Sequence, residues 1–193
     1  IAILCHPHPL YGGTMNNQVV LALAQRLLSA GLAVLRFNFR GVGKSGGQYG
    51  GGEKECEDVL AAVKYARYRG FTASRIVLIG YSFGAAVAAR ALKNLPEEIT
   101  YVGIAPSIED LSSESWTGLL AERRRVCFIV AGGDDIVSVD NIWAAAKQRR
   151  GVTEIVVVGR ASHFFDTPQH LSAVAEAVIE FVQQICDSVR DLN

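Results

Sequence analysis

The pentapeptide Gly80-Tyr81-Ser82-Phe83-Gly84 holds the residues of this chain best suited to covalent chemistry. It follows an apolar run, Arg75-Ile76-Val77-Leu78-Ile79, and precedes an Ala-rich stretch, 85–92. A Gly-x-Ser-x-Gly at a strand-to-helix junction reads as a nucleophile elbow, a turn so tight that small residues are needed two positions either side of the serine. The serine hydroxyl would stand above the sheet edge, on strained backbone. A helix starting beneath it would aim N–H groups and positive dipole at any anion formed there. A serine is a weak nucleophile until a base takes its proton. The rest of the chain must therefore supply that base, a group to orient it, and donors for an oxyanion.

These partners stand after other apolar runs. Residues 126–130 lead into Ala131-Gly132-Gly133-Asp134-Asp135, and 154–158 lead into Gly159-Arg160-Ala161-Ser162-His163-Phe164-Phe165. His163 as neutral imidazole would accept the Ser82 proton and later return it to the leaving group. Asp134 or Asp135 would fix its tautomer and stabilise the imidazolium. The N–H of Phe83, the residue after the nucleophile, is one oxyanion donor. The second is expected in His6-Pro7-His8-Pro9-Leu10-Tyr11-Gly12-Gly13-Thr14, after the first apolar run. Proline has no N–H to give, so the His8 backbone is the candidate there, with Leu10 or Tyr11 as the fallback.

The elements that must position these residues follow from hydrophobic patterning. Apolar β-branched runs predict strands at 1–5, 32–37, 75–79, 99–104, 126–131 and 154–158. Helical spacing predicts helices at 17–30, 53–69, 82–94, 139–149 and 168–189, the first two stopped by Gly31 and Gly70. Strands alternating with helices, and reading as unbroken apolar runs, imply an α/β fold. Its predominantly parallel sheet would carry helices on both faces. Sites in such sheets lie at the carboxyl ends of the strands, where Ser82, Asp134 and His163 all fall. No linker or repeat is visible, and 193 residues suit one domain spanning 1–193, with residues or strands missing in front because the chain opens inside a strand without Met.

The order serine, acid, histidine is that of the α/β-hydrolase superfamily, which the whole chain resembles. More narrowly, the His6–Thr14 stretch, Arg36-Phe37-Asn38-Phe39-Arg40-Gly41-Val42-Gly43-Lys44-Ser45 and Asp134-Asp135-Ile136-Val137 are similar to signatures of small, uncharacterised serine hydrolases of that superfamily. The resemblance implies a serine hydrolase acting on a small-molecule acyl substrate, with no metal and no organic cofactor. Ala131, or a shortened turn, stands where the family carries a glycine before the acid. That leaves Asp134 and Asp135 both open, Asp134 being preferred on the spacing to Ile136-Val137. Many members insert a cap after the strand that here ends at Ile104. Residues 105–125 are too few for one, so a minimal fold without a cap domain is expected, covered at most by a short helix with Trp116, Leu119 and Leu120. Tyr11, Tyr81 and Phe164 are the candidate substrate contacts.

Several other functions are disfavoured. Lys plus Arg and Asp plus Glu each number 19, which argues against electrostatic binding of nucleic acid. No apolar run is long enough to span a bilayer. The four cysteines lack metal-ligand spacing and read as buried structural residues in a reducing, cytoplasmic protein. His6 and His8 lack the third ligand of a metal site and read as structural; His170 reads as solvated. Gly41-Val42-Gly43-Lys44-Ser45-Gly46 imitates a dinucleotide fingerprint, but Gly47 and Gly50-Gly51-Gly52 continue where a helix should open. Arg40 reads as a structural tie for this loop. The alternatives to a hydrolase are a non-catalytic binding protein on the same fold and, less well supported, a nucleotide-binding enzyme using this loop.

Overall fold

A computed structural model describes residues 1–107, 119 and 123–190, with side chains through 185. Six strands form one sheet: β1 (Ala2–Cys5), β2 (Val34–Arg36), β3 (Val77–Tyr81), β4 (Thr100–Ile104), β5 (Val126–Ala131) and β6 (Thr153–Val158). All pair in parallel, in the order β2-β1-β3-β4-β5-β6. Five α-helices lie among the described residues: α1 (Gln18–Ser29), α2 (Glu55–Tyr68), α3 (Phe83–Ala91), α4 (Val139–Gln148) and α5 (Pro168–Arg190). The fold is the expected α/β architecture with a parallel sheet covered on both sides.

Because strand side chains alternate, each strand feeds two cores. Ile3, Leu78, Tyr101 and Phe128 pack with α2, α3 and Ile142 of α4 on one face. Leu4, Ile79, Val102 and Ile129 pack with α1 and α5 on the other. Helix α1 shows how sequence sets this. Val19, Val20, Leu23, Ala24 and Leu27 form its buried stripe, and the Asn17 side chain accepts from Val19 N at 2.9 Å as the cap. At its end Gly31 N and Leu32 N return to the Leu28 and Leu27 carbonyls, the pattern of a Schellman stop.

Several boundaries shift from the sequence expectation, β2 for example shortening to Val34–Arg36, and two of the shifts have a clear local cause. Strand β3 occupies Val77–Tyr81 and not 75–79, because Ala73–Arg75 closes into a 3-10 turn and Gly80 and Tyr81 stay extended to the serine. Helix α2 begins at Glu55 and not at 53. The chain reaches it through Gly50 and Gly52, whose N–H groups both donate to the buried Glu55 carboxylate at 2.7 Å. The short helix expected around Trp116 and Leu120 lies outside the described residues. Leu119 is described, and it is 2 % exposed within the core shared with Val130 and Ile142.

From β1 the chain crosses to β2 on one side and then to β3 on the other. The strand order therefore reverses at β1 and β3, and a crevice opens beyond their carboxyl ends. The loop after β1 and the turn after β3 both meet there.

Candidate active site

Ser82 follows β3 directly and caps α3, with φ 54° and ψ −120°. A side chain at positive φ is strained by about 1–3 kcal/mol and persists only where its surroundings hold it. They do so here by close approach. A Cβ on Gly80 would lie 2.4 Å from Ala85 Cα, and one on Gly84 would lie 2.4 Å from the Cys5 and His6 carbonyl oxygens. The glycines two positions either side of the serine thus let α3 pack onto β3 and β1. The Ser82 N–H donates to Ile104 O at 2.8 Å, and its carbonyl accepts from Ala85 N at 2.9 Å. Its hydroxyl makes no cap bond to the helix.

That hydroxyl instead meets His163: Oγ lies 2.9 Å from Nε2. On the other side of the ring, Nδ1 lies 2.9 Å from Asp134 Oδ2. The second carboxylate oxygen, Oδ1, accepts from Ile136 N at 2.9 Å and Val137 N at 2.8 Å. Burial pushes the Asp134 carboxyl up. The hydrogen bond from His163 and those from Val137 and Ile136 outweigh this and hold it below the ordinary aspartate value. An ionised carboxylate only accepts, so Nδ1 carries the proton and Nε2 accepts the serine O–H. Of the two aspartates left open by sequence, Asp134 meets the histidine and Asp135 is exposed.

The loop after β1 forms the facing wall. His8 and Phe83 both line a cleft of about 510 Å³ that contains Ser82 and His163. The fallback donors in this loop are engaged. Leu10 N donates to His8 Nδ1 at 3.2 Å, and Tyr11 N donates to His8 O at 3.1 Å. Phe83, as first residue of α3, has no partner for its N–H within its own helix. The two histidines of the loop are tied into protein. His6 is fully buried, with Nδ1 2.7 Å from Pro7 O and Nε2 accepting from Phe39 N at 3.0 Å. His8 packs against Tyr11, Tyr49 and Phe83, and its Nε2 lies 3.1 Å from Tyr49 Oη.

The expected substrate contacts divide. Tyr11 and Phe164 stand at the cleft mouth, 87 % and 54 % exposed, and Ile136 joins them. Tyr81 lines the same cleft but is only 3 % exposed, and its hydroxyl donates to the His163 carbonyl at 2.9 Å. Ser107, another residue at the cleft, carried no motif that could have singled it out. His170 is half-buried at the start of α5 and not freely solvated. In the glycine-rich loop, Arg40 forks onto Asp58, with Nη2 2.8 Å from Oδ1 and Nε 3.1 Å from both carboxylate oxygens, and so acts as a tie. Among the described residues no cluster of His, Cys, Asp and Glu could hold a metal ion, and no helix is long and apolar enough to cross a membrane.

A family model described as serine aminopeptidase, S33, matches residues 10–140. The chain belongs to this family of α/β serine hydrolases. The matched span contains Ser82 and Asp134 and stops before His163. This α/β hydrolase is also 34 % identical over 171 residues to an uncharacterized protein of Rickettsia prowazekii, covering 86 % of this chain and 71 % of the relative. Among solved structures it is similar to an α/β serine hydrolase homologue from Coxiella burnetii (35 % identity, TM-score 0.80, covering 93 % of this chain and 83 % of that one). It is likewise similar to a serine hydrolase without lid from Xanthomonas campestris (30 % identity, TM-score 0.81, covering 95 % and 80 %).

Proposed function

We propose that this hydrolase cleaves a carboxylic ester, or a related thioester or amide, through an acyl-enzyme on Ser82. The observation that carries the reading is the unbroken chain from Ser82 Oγ through His163 to Asp134, each link 2.9 Å, at the carboxyl end of a parallel sheet. In the first half-reaction His163 Nε2 takes the serine proton as Oγ attacks the acyl carbon. The imidazolium is stabilised by Asp134, whose carboxylate is already held in place by two backbone donors. Negative charge on the substrate oxygen falls to the N–H groups of Phe83 and His8, the first at the positive end of α3. His163 then protonates the leaving group, and water repeats the sequence to release the acid. The scheme needs no cofactor.

Tyr11 and Phe164 are the substrate-contacting side chains in this account. The described lining carries aromatic, aliphatic, hydroxyl, imidazole and amide groups and, among the described residues, no carboxylate, which suits an uncharged acyl group better than the ammonium end of a peptide. The whole chain acts as one catalytic unit. Cys5, Cys56 and Cys127 are buried free thiols, in keeping with a cytoplasmic protein. The test is pre-steady-state hydrolysis of nitrophenyl esters of graded chain length beside an aminoacyl anilide. The reading expects a burst of nitrophenol equal to the enzyme concentration on the esters. Turnover of the anilide alone would replace the ester preference with that of an aminopeptidase.

A further inference from the structure

The loop that carries His163 is bent at both ends into backbone that L-residues avoid. Arg160 has φ 59° and Phe165 has φ 50°, and Phe165 is fully buried. Residues held in this region persist only where neighbouring contacts over-determine them. Inside the loop Phe165 N donates to Ser162 O at 3.1 Å and Phe164 N to Ser162 Oγ at 3.2 Å. Two side chains from elsewhere in the chain also hold its carbonyls. Tyr81 Oη donates to His163 O at 2.9 Å in the protein interior, and Gln18 Nε2 donates to Phe164 O at 3.1 Å at the surface.

Tyr81 is an unusual strut because of where it starts. It is the last residue of β3, pairs with Ile104 of β4, and is bonded directly to Ser82. Its ring lies 5.9 Å from the His163 imidazole and 6.2 Å from the Phe165 ring. The nucleophile and the backbone of its base thus hang from one strand end. Burial, with the charges of Asp134 and Asp166, pushes the phenol pKa up, so the hydroxyl keeps the proton that it donates. Resting on the reading of Ser82 and His163 as nucleophile and base, we propose that Tyr81 is a positioning residue. Its hydroxyl sets the reach from His163 Nε2 to Ser82 Oγ by holding the His163 carbonyl, and Gln18 is the outer stay of the same loop.

Tyr81→Phe removes the bond and keeps the ring. The experiment titrates active sites of the full chain with a fluorophosphonate and measures kcat per titrated site and KM on a nitrophenyl ester. Small misplacements of reacting groups cost up to about 100-fold. The expected result is full titration, a fall of about 10- to 100-fold in kcat per site, and an unchanged KM. Gln18→Met, at an exposed position, should lower kcat per site about two- to three-fold in the same manner, as a weaker, solvated bond would. An unchanged kcat per site with fewer titrated sites would make the bond merely structural and overturn the proposal. A raised KM at constant kcat would return Tyr81 to substrate binding. If Tyr81→Phe does not fold, Gln18→Met decides by the same two readouts. A folded wild-type chain that takes up no fluorophosphonate overturns the underlying reading and this proposal with it.

Discussion

Two loops at the same end of the sheet carry histidines, and they use them in opposite ways. The loop after β1 holds His6 and His8, and the loop after β6 holds His163. Burial does not separate them, since His6 is 0 % exposed and His163 4 %. The partners of the ring nitrogens do. Both His6 nitrogens face backbone, and burial, opposed by the bond to Pro7, pushes its pKa down and keeps it neutral. His8 Nδ1 accepts from Leu10 N, which leaves Nε2 to donate to Tyr49. The His163 ring alone lies between a carboxylate and a hydroxyl. A buried imidazole whose two nitrogens serve backbone is a fixed joint; one between an acid and an alcohol can move a proton.

The comparison breaks most sharply at His163. His163→Ala should lower kcat about 10⁶-fold in a chain that still folds, with a stability cost of about 1–3 kcal/mol for the orphaned Asp134 carboxylate, read by ester turnover against a denaturation curve. Asp134→Asn should cost about 10⁴-fold in kcat by favouring the wrong tautomer. The exposed Asp135→Asn should stay within about two-fold, and equal losses at both would undo the assignment.

On the other loop the expected loss is of stability. His6→Ala orphans the Phe39 N–H and the Pro7 carbonyl, each costing about 1–3 kcal/mol, while kcat per titrated site is retained. Urea unfolding measures the first and active-site titration the second. The smallest effect is a pH slope. The folded His6 pKa lies below the ordinary 6.5, so the unfolded chain binds the extra proton. Its contribution is therefore complete above 6.5 and is lost as pH falls toward the folded value. Stability should fall over that window in the wild type and fall less in His6→Ala. Asp134 acts likewise but lower, its contribution fading as pH drops below the ordinary 3.8.

Much of the site was legible because it hangs from strand ends, and strand ends can be read from apolar runs. Ser82 follows such a run at the turn itself, and Asp134 and His163 stand in the short loops that follow theirs. Between the two aspartates spacing only expressed a preference, since the choice depends on which carboxylate the turn directs at His163. The supports were less legible. Tyr81 and Gln18 hold loop carbonyls 82 and 146 residues away in sequence, and no local pattern announces a bond of that span. Glu55 reads as an ordinary acidic helix residue until the glycine N–H groups fold onto it. The start of β3 was misplaced because Arg75 and Ile76 look like strand residues, while the Thr72 and Ala73 carbonyls capture their N–H groups in a turn.

The central claim is that Ser82 is a nucleophile activated by His163. Time-dependent reaction with a fluorophosphonate, located by peptide mass spectrometry, tests it most directly. The account predicts one adduct per chain on Ser82, none in Ser82→Ala, and labelling slowed by orders of magnitude in folded His163→Ala. Adduct on another residue, or equal labelling rates with and without His163, would contradict it.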